Sequence, residues 1–140
     1  MVLRNKRIFV IDDKPMHTMV ATLYLQTAGA VVIADWQGNA TPEAIMKVMP
    51  LDLILLDLVL TNKLSGFDLL TRIRYIPLLA HIPVVALSAA DPMVALPLAR
   101  NAGFNGYISK PLSHKVIDSV ADVLAGKQVW HSDEWRSWIL

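Results

Sequence analysis

The sequence predicts an α/β fold: a doubly wound sheet of five parallel strands with helices on both faces. Three observations point to it. Short apolar runs rich in β-branched residues recur along the chain. Helical patterns lie between them. Two of the runs, Ile8-Phe9-Val10-Ile11 and Leu53-Ile54-Leu55-Leu56, end directly in acid, at Asp12-Asp13 and at Asp57. A strand covered on both faces reads as an unbroken apolar run, and open parallel sheets hold their ligands at the carboxyl ends of the strands.

Taken in order, strands are expected over 7–11, 30–35, 52–57, 83–87 and 105–109. The first helix is expected from Pro15 to Ala28, with Pro15 in the first turn, Gly29 as the stop, and Met19, Val20, Leu23 and Thr27 sharing a face. Thr41-Pro42-Glu43 supplies a cap, a first-turn proline and a first-turn acid for a second helix ending near Met49-Pro50. A third runs from Gly66 to Arg74 with Phe67, Leu70 and Ile73 inward. Asp68 and Asp91 both read as helix-start residues. Pro97 would fall inside a helix opened by Asp91-Pro92, where it lacks a donor, so the fourth helix is expected to be short, kinked or late, mainly 96–102. The last helix begins after Ser113 and buries Val116, Ile117, Val120, Val123 and Leu124 before Gly126. Residues beyond Gly126, with Trp130, Trp135 and Trp138 among polar neighbours, read as an appendage.

A chain of 140 residues has the material for one domain. With 54% hydrophobic and 18% charged residues it is not disordered. The net charge is +1 and the basic residues are dispersed, which argues against a nucleic-acid surface. No apolar stretch is long enough for a bilayer, and Arg4, Lys6 and Arg7 precede no signal-peptide apolar region, so the expected location is the cytoplasm and no membrane partner is implied. The absence of cysteine removes disulfides, thiolate catalysis and sulfur-ligated zinc, and His17, His81, His114 and His131 have no paired metal-ligand spacing. His17, just after the acidic pair, is expected to be a helix-surface residue in preference to a metal ligand.

The strand ends collect Asp12, Asp13, Asp57, Ser88 and Lys110 at one edge of the sheet. Three carboxylates in one crevice repel one another unless a cation or a shared proton intervenes. Hard oxygen ligands suit Mg²⁺, and a carboxylate beside that ion can act as a nucleophile toward a phosphoryl group. Ser88 can donate to a phosphoryl oxygen, and Lys110 adds a compact positive charge.

Five fragments then align in order and spacing with a known family: Val10-Ile11-Asp12-Asp13, Leu55-Leu56-Asp57-Leu58, Gly66-Phe67-Asp68-Leu69-Leu70, Val85-Ala86-Leu87-Ser88-Ala89 and the run from Gly103 to Pro111. Over residues 5–126 the chain resembles the receiver domains of two-component response regulators, of the chemotaxis-regulator (CheY-like, flavodoxin-like) type, leaving 127–140 as a Trp-rich tail. The resemblance implies strand order 2-1-3-4-5 and a phosphoryl group passed to Asp57 from a sensor histidine kinase or a phosphotransfer protein. It implies Mg²⁺, with Mn²⁺ as a substitute, held by Asp13, Asp57 and the Val59 carbonyl, with Asp12 acting through water. Ser88 and Lys110 would grip the phosphoryl group, Ser88 and Tyr107 would form the switch, and Lys110-Pro111 would be a cis peptide. The expected protein is a stand-alone phosphorelay module that acts on a downstream effector. It is not an enzyme beyond self-phosphorylation from small donors and self-dephosphorylation, and homodimerisation is left open.

The loop from Leu58 to Gly66 departs from the family pattern. Thr61 replaces a common proline, Ser65 replaces an acid, and the loop is one residue longer. Val59 and Ala90 flank the expected pocket without polar groups to orient water, which implies slow or unexceptional self-dephosphorylation. Two rivals stand beside the switch reading. One is a receiver-fold adaptor that is never phosphorylated and binds through its tryptophan tail, for which packing back on the domain is the slightly favoured fate. The other is an Mg²⁺-dependent phosphatase of the haloacid-dehalogenase type, whose nucleophile and acid would stand one residue apart and not side by side.

Overall fold

The computed structural model describes residues 1–35, 40–60 and 65–131. Strands and helices alternate as β1 (Arg7–Ile11), α1 (Pro15–Thr27), β2 (Val31–Asp35), α2 (Pro42–Lys47), β3 (Leu53–Asp57), α3 (Gly66–Tyr75), β4 (Val84–Ser88), α4 (Pro92–Ala102), β5 (Gly106–Ser109), α5 (Lys115–Leu124) and β6 (Val129–His131). Every neighbouring pair is parallel, in the order β2-β1-β3-β4-β5-β6.

The apolar strand runs divide their side chains between two cores, because successive residues of a strand point to opposite faces. Phe9, Ile11, Ile54, Leu56 and Tyr107 face α2, α3 and α4. Ile8, Val10, Leu53, Leu55 and Ile108 face α1 and α5. This double covering is why β3 and β4 are buried along their whole length. At the amino edge of the sheet the Arg74 guanidinium donates to the carbonyls of Ala80, Ile82 and Gly103 and to Asn105 Oδ1, which also accepts from Val84 N. One side chain thereby ties the end of α3 to the segments entering β4 and β5.

Capping residues behave as their chemistry dictates. Thr41 Oγ1 accepts from Ala44 N at 3.2 Å. Ser65 Oγ accepts from Asp68 N while Asp68 Oδ2 accepts from Ser65 N, a reciprocal capping box. The serine that stands where the family has an acid is therefore the cap of α3. Residues 61–64 of that loop, Thr61 included, lie outside the described residues.

Three expectations are corrected. The sheet has six strands among the described residues, not five, because α5 is a crossover into β6 and Val129 and Trp130 pair with Gly106 and Tyr107. A strand of three residues beside polar neighbours is too short to show an alternating pattern. Trp130 packs back on the core containing Tyr107, with the Arg100 guanidinium 4.8 Å from its ring centre. Trp135 and Trp138 lie outside the described residues. The buried face of α1 is Thr18, Ala21 and Leu25, whereas Met19 and Leu23 are exposed. Small residues let the helix approach the sheet, and they carry little signal on a hydropathy scale. Finally, α4 starts at Pro92 and runs through Pro97 for 11 residues. Pro97 lies on the solvent side with Met93, so the Met93 carbonyl that lacks a partner can be hydrated. Asp91 caps the start, and Gly103, at φ 100°, ends the helix in the left-handed conformation.

Candidate functional site

The first acid is fixed by the chain that turns out of β1. Asp12 Oδ1 accepts from Lys14 N at 3.0 Å, and the Thr18 hydroxyl donates to the Asp12 carbonyl at 3.1 Å. Pro15 sets the entry into α1, so the small polar Thr18 returns one turn later against the strand end. Asp12 is wholly buried as a result. Asp57 closes β3 and is 3% exposed, with Oδ1 accepting from Val59 N at 3.1 Å. Gly66, the first residue of α3, rests directly on the backbone beneath it: a Cβ there would fall 2.3 Å from the Asp57 carbonyl oxygen and 2.9 Å from Leu58 Cα. The glycine lets the helix seat against the strand that presents Asp57.

Lys110 reaches this cluster from the end of β5. Its backbone N donates to the Ser88 carbonyl at 2.8 Å, and the Lys110-Pro111 peptide is cis. The ammonium donates to Asp12 Oδ2 at 2.6 Å and to Asp57 Oδ2 at 3.0 Å, and its side chain is 5% exposed. Burial pushes the Asp57 carboxyl above the usual carboxylate range, against the opposing pull of the Val59 N–H and of Lys110.

Carboxylate oxygens of Asp12, Asp13 and Asp57 lie within 4.8 Å of one another. Asp13 Oδ1 is buried with no hydrogen-bond partner among the described residues, which is what a cation-ligand atom looks like. The donor set is hard oxygen throughout and fits Mg²⁺.

Of the residues that the sequence gathers at this edge, the acids and Lys110 meet directly. Ser88 is buried at the end of β4, and its hydroxyl accepts from Ala90 N at 3.0 Å. Tyr107 is fully buried in the core under α4, deeper than a half-buried strand aromatic, and its hydroxyl has no hydrogen-bond partner among the described residues. Val59 is exposed at the rim. One participant was not expected there. His17 is not a bystander on the helix surface: its Nδ1 is 2.9 Å from the Lys110 ammonium and 3.6 Å from Asp12 Oδ2. The available signal was positional, since a helix opened by Pro15 sets its third residue one turn from the acidic pair.

Known proteins resemble this chain over most of its length. Residues 8–122 match the model of the response regulator receiver domain. The DNA-binding response regulator MtrA of Mycolicibacterium smegmatis is 30% identical over 111 residues, which are 79% of this chain and 46% of that protein. An uncharacterised 14.6 kDa protein of Leptolyngbya boryana is 30% identical over 110 residues, 79% of this chain and 82% of that one. This chain thus spans less than half of the mycobacterial regulator and most of the cyanobacterial protein. Among solved structures, the receiver domain of the sensor histidine kinase PA1611 of Pseudomonas aeruginosa, with magnesium in its active-site cleft, superposes with a TM-score of 0.69 at 24% identity, covering 88% of this chain and 99% of that one. No described helix is long and apolar enough to cross a membrane. With five motifs in register, the fold, and a family model spanning the cluster of acids and lysine, the chain belongs to the response regulator receiver domains of two-component signalling.

Proposed function

We propose that the chain is a phosphorylation-controlled switch in which Asp57 is the phosphoacceptor. The observation that carries this reading is the buried Lys110 ammonium held between Asp12 and Asp57, beside the unpartnered oxygen of Asp13. A carboxylate oxygen of Asp57 attacks the phosphorus of a phosphohistidine on a sensor histidine kinase or phosphotransfer protein. The P–O bond forms as the P–N bond breaks, and the electron pair leaves with the imidazole. Asp12, Asp13, Asp57 and the Val59 carbonyl would hold Mg²⁺, or Mn²⁺ in its stead. The ion supplies charge neutralisation for the incoming phosphoryl oxygens.

The chain's own residues do the rest. Lys110 turns from Asp57 Oδ2 to a phosphoryl oxygen. Ser88 exchanges its bond with Ala90 N for donation to another. The Ala89-Ala90 turn follows Ser88, and Tyr107, whose hydroxyl has no partner among the described residues, adjusts behind it. The change is read by a partner at the face formed by α4, β5 and the strand beyond them. We read the module as cytoplasmic, acting through an effector that recognises this face.

The test is incubation with phosphoramidate or acetyl phosphate and Mg²⁺, followed by intact mass. One added phosphoryl group, abolished by Asp57→Asn, supports the proposal. No uptake with any divalent ion refutes it.

A further inference from the structure

We propose that His17 is a positioning residue that holds the Lys110 ammonium in register with Asp57; this rests on the phosphoacceptor reading above. An ammonium has three N–H donors and no lone pair. Three acceptors surround Lys110 Nζ: Asp12 Oδ2 at 2.6 Å, His17 Nδ1 at 2.9 Å and Asp57 Oδ2 at 3.0 Å. Each proton therefore has one destination, and Nδ1 of His17 is the accepting nitrogen, with the ring proton on Nε2. The lysine side chain is 5% exposed, so little solvent can replace a missing acceptor.

The chemistry of the third acceptor matters. A third carboxylate would oversaturate the lysine's single charge and repel an arriving phosphoryl group. An imidazole nitrogen accepts the proton without adding an anion, so the ammonium keeps its pull on incoming negative charge. His17 also belongs to a different element. Asp57 ends β3 and Lys110 follows β5, but His17 sits in the first turn of α1, with 39% of its side chain exposed. When Asp57 is modified and the ammonium gives up Oδ2, Asp12 and His17 remain as two fixed points. The lysine then pivots toward the phosphoryl group without leaving the site. A flexible four-carbon stem pinned at two points has few other places to go.

The test compares the full chain with His17→Leu, which removes the acceptor at similar size, and His17→Asn, whose side-chain oxygen can stand near the Nδ1 position. Phosphoramidate is the donor, at saturating Mg²⁺. Uptake by intact mass gives the maximal rate and the half-saturating donor concentration. The ¹H–¹⁵N signal of the Lys110 ammonium reports how fast its protons exchange with water. In His17→Leu the maximal rate should fall about tenfold, as expected for one hydrogen bond to a charged group, and ammonium exchange should accelerate. His17→Asn should recover most of both. On a Lys110→Ala background, His17→Leu should cause no further loss, because the histidine acts through the lysine. Unchanged rate and exchange in His17→Leu overturn the proposal, as does an Asn variant as impaired as Leu, or a further loss on the Lys110→Ala background. If the unaltered chain takes up no phosphoryl group, it is the phosphoacceptor reading that fails. The ammonium signal then still decides the His17 contact by itself.

Discussion

Gly106→Ala should release β6 and leave the rest of the sheet intact. A methyl at Gly106 would lie 2.8 Å from the Val129 carbonyl oxygen, closer than real Cβ contacts, whereas Val123 Cγ2 and Val85 Cγ1 at 3.5 and 3.6 Å are ordinary neighbours. The conflict is with β6 alone, and β6 has little to resist it. Burying Val129 contributes about 1.5–3 kcal/mol. The Arg100 contact with the Trp130 ring adds about 0.5–1 kcal/mol. Each hydrogen bond to β5 adds about 0.5–1.5 kcal/mol. Ordering three backbone residues costs about 1–2 kcal/mol apiece, so the strand's net stability is within a few kcal/mol of zero. The variant should lose about 1–2 kcal/mol of global stability. By hydrogen exchange and mass spectrometry, residues 129–131 should lose protection while β1, β3 and β4 keep theirs. Unchanged protection of 129–131 refutes the reasoning. So does a loss above about 4 kcal/mol, which would make β6 part of the cooperative core.

Gly66→Ala presses instead on the backbone of β3, and should cost about 1–3 kcal/mol and slow phosphoryl uptake; a neutral result in both assays would show that α3 can shift freely. Lys110→Ala leaves Asp12 and Asp57 buried without their counter-charge, a change of about 3–5 kcal/mol in chelator. Added Mg²⁺ should recover more of that loss than it adds to the unaltered chain; equal Mg²⁺ effects in thermal melts would count against it. Because burial raises the Asp57 carboxyl above its ordinary value of 3.8, the folded chain retains a proton that the unfolded chain has already lost. Its contribution is therefore full below 3.8 and disappears as pH rises through the folded value. Asp57→Asn should raise the urea midpoint at neutral pH without divalent ions, and the gain should vanish in acid; a gain that is the same at both pH values would contradict this. With Val59 and Ala90 as the flanking side chains, self-dephosphorylation should be slow or unexceptional, and a phosphoryl half-life of seconds would contradict that.

The strands and the acid cluster were legible because each is a local pattern with a simple cause. Full burial turns β1, β3 and β4 into apolar runs, and the turn out of each strand must carry the polar residue that ends it. The capping residues Thr41 and Asp91 were legible for a similar reason, since their side chains satisfy backbone groups two or three residues away. What the sequence hid depends on contacts made at a distance. The buried face of α1 is set by how closely Ala21 and Thr18 let the helix approach, and that is a property of the sheet beneath. Pro97 is tolerated because of which side of α4 meets water. His17 is polar on a mostly apolar helix and looks solvent-facing until Lys110, 93 residues later, arrives beside it.

β6 also changes the direction in which the chain leaves the domain. A receiver ending with α5 would release its next residue at the amino edge of the sheet, behind the phosphoacceptor. Here the chain turns once more, runs parallel to β5, and brings His131 level with Ile108, two residues before Lys110. Whatever is attached beyond residue 131 starts from the same rim as Asp57. That departure point is fastened through a strand only three residues long.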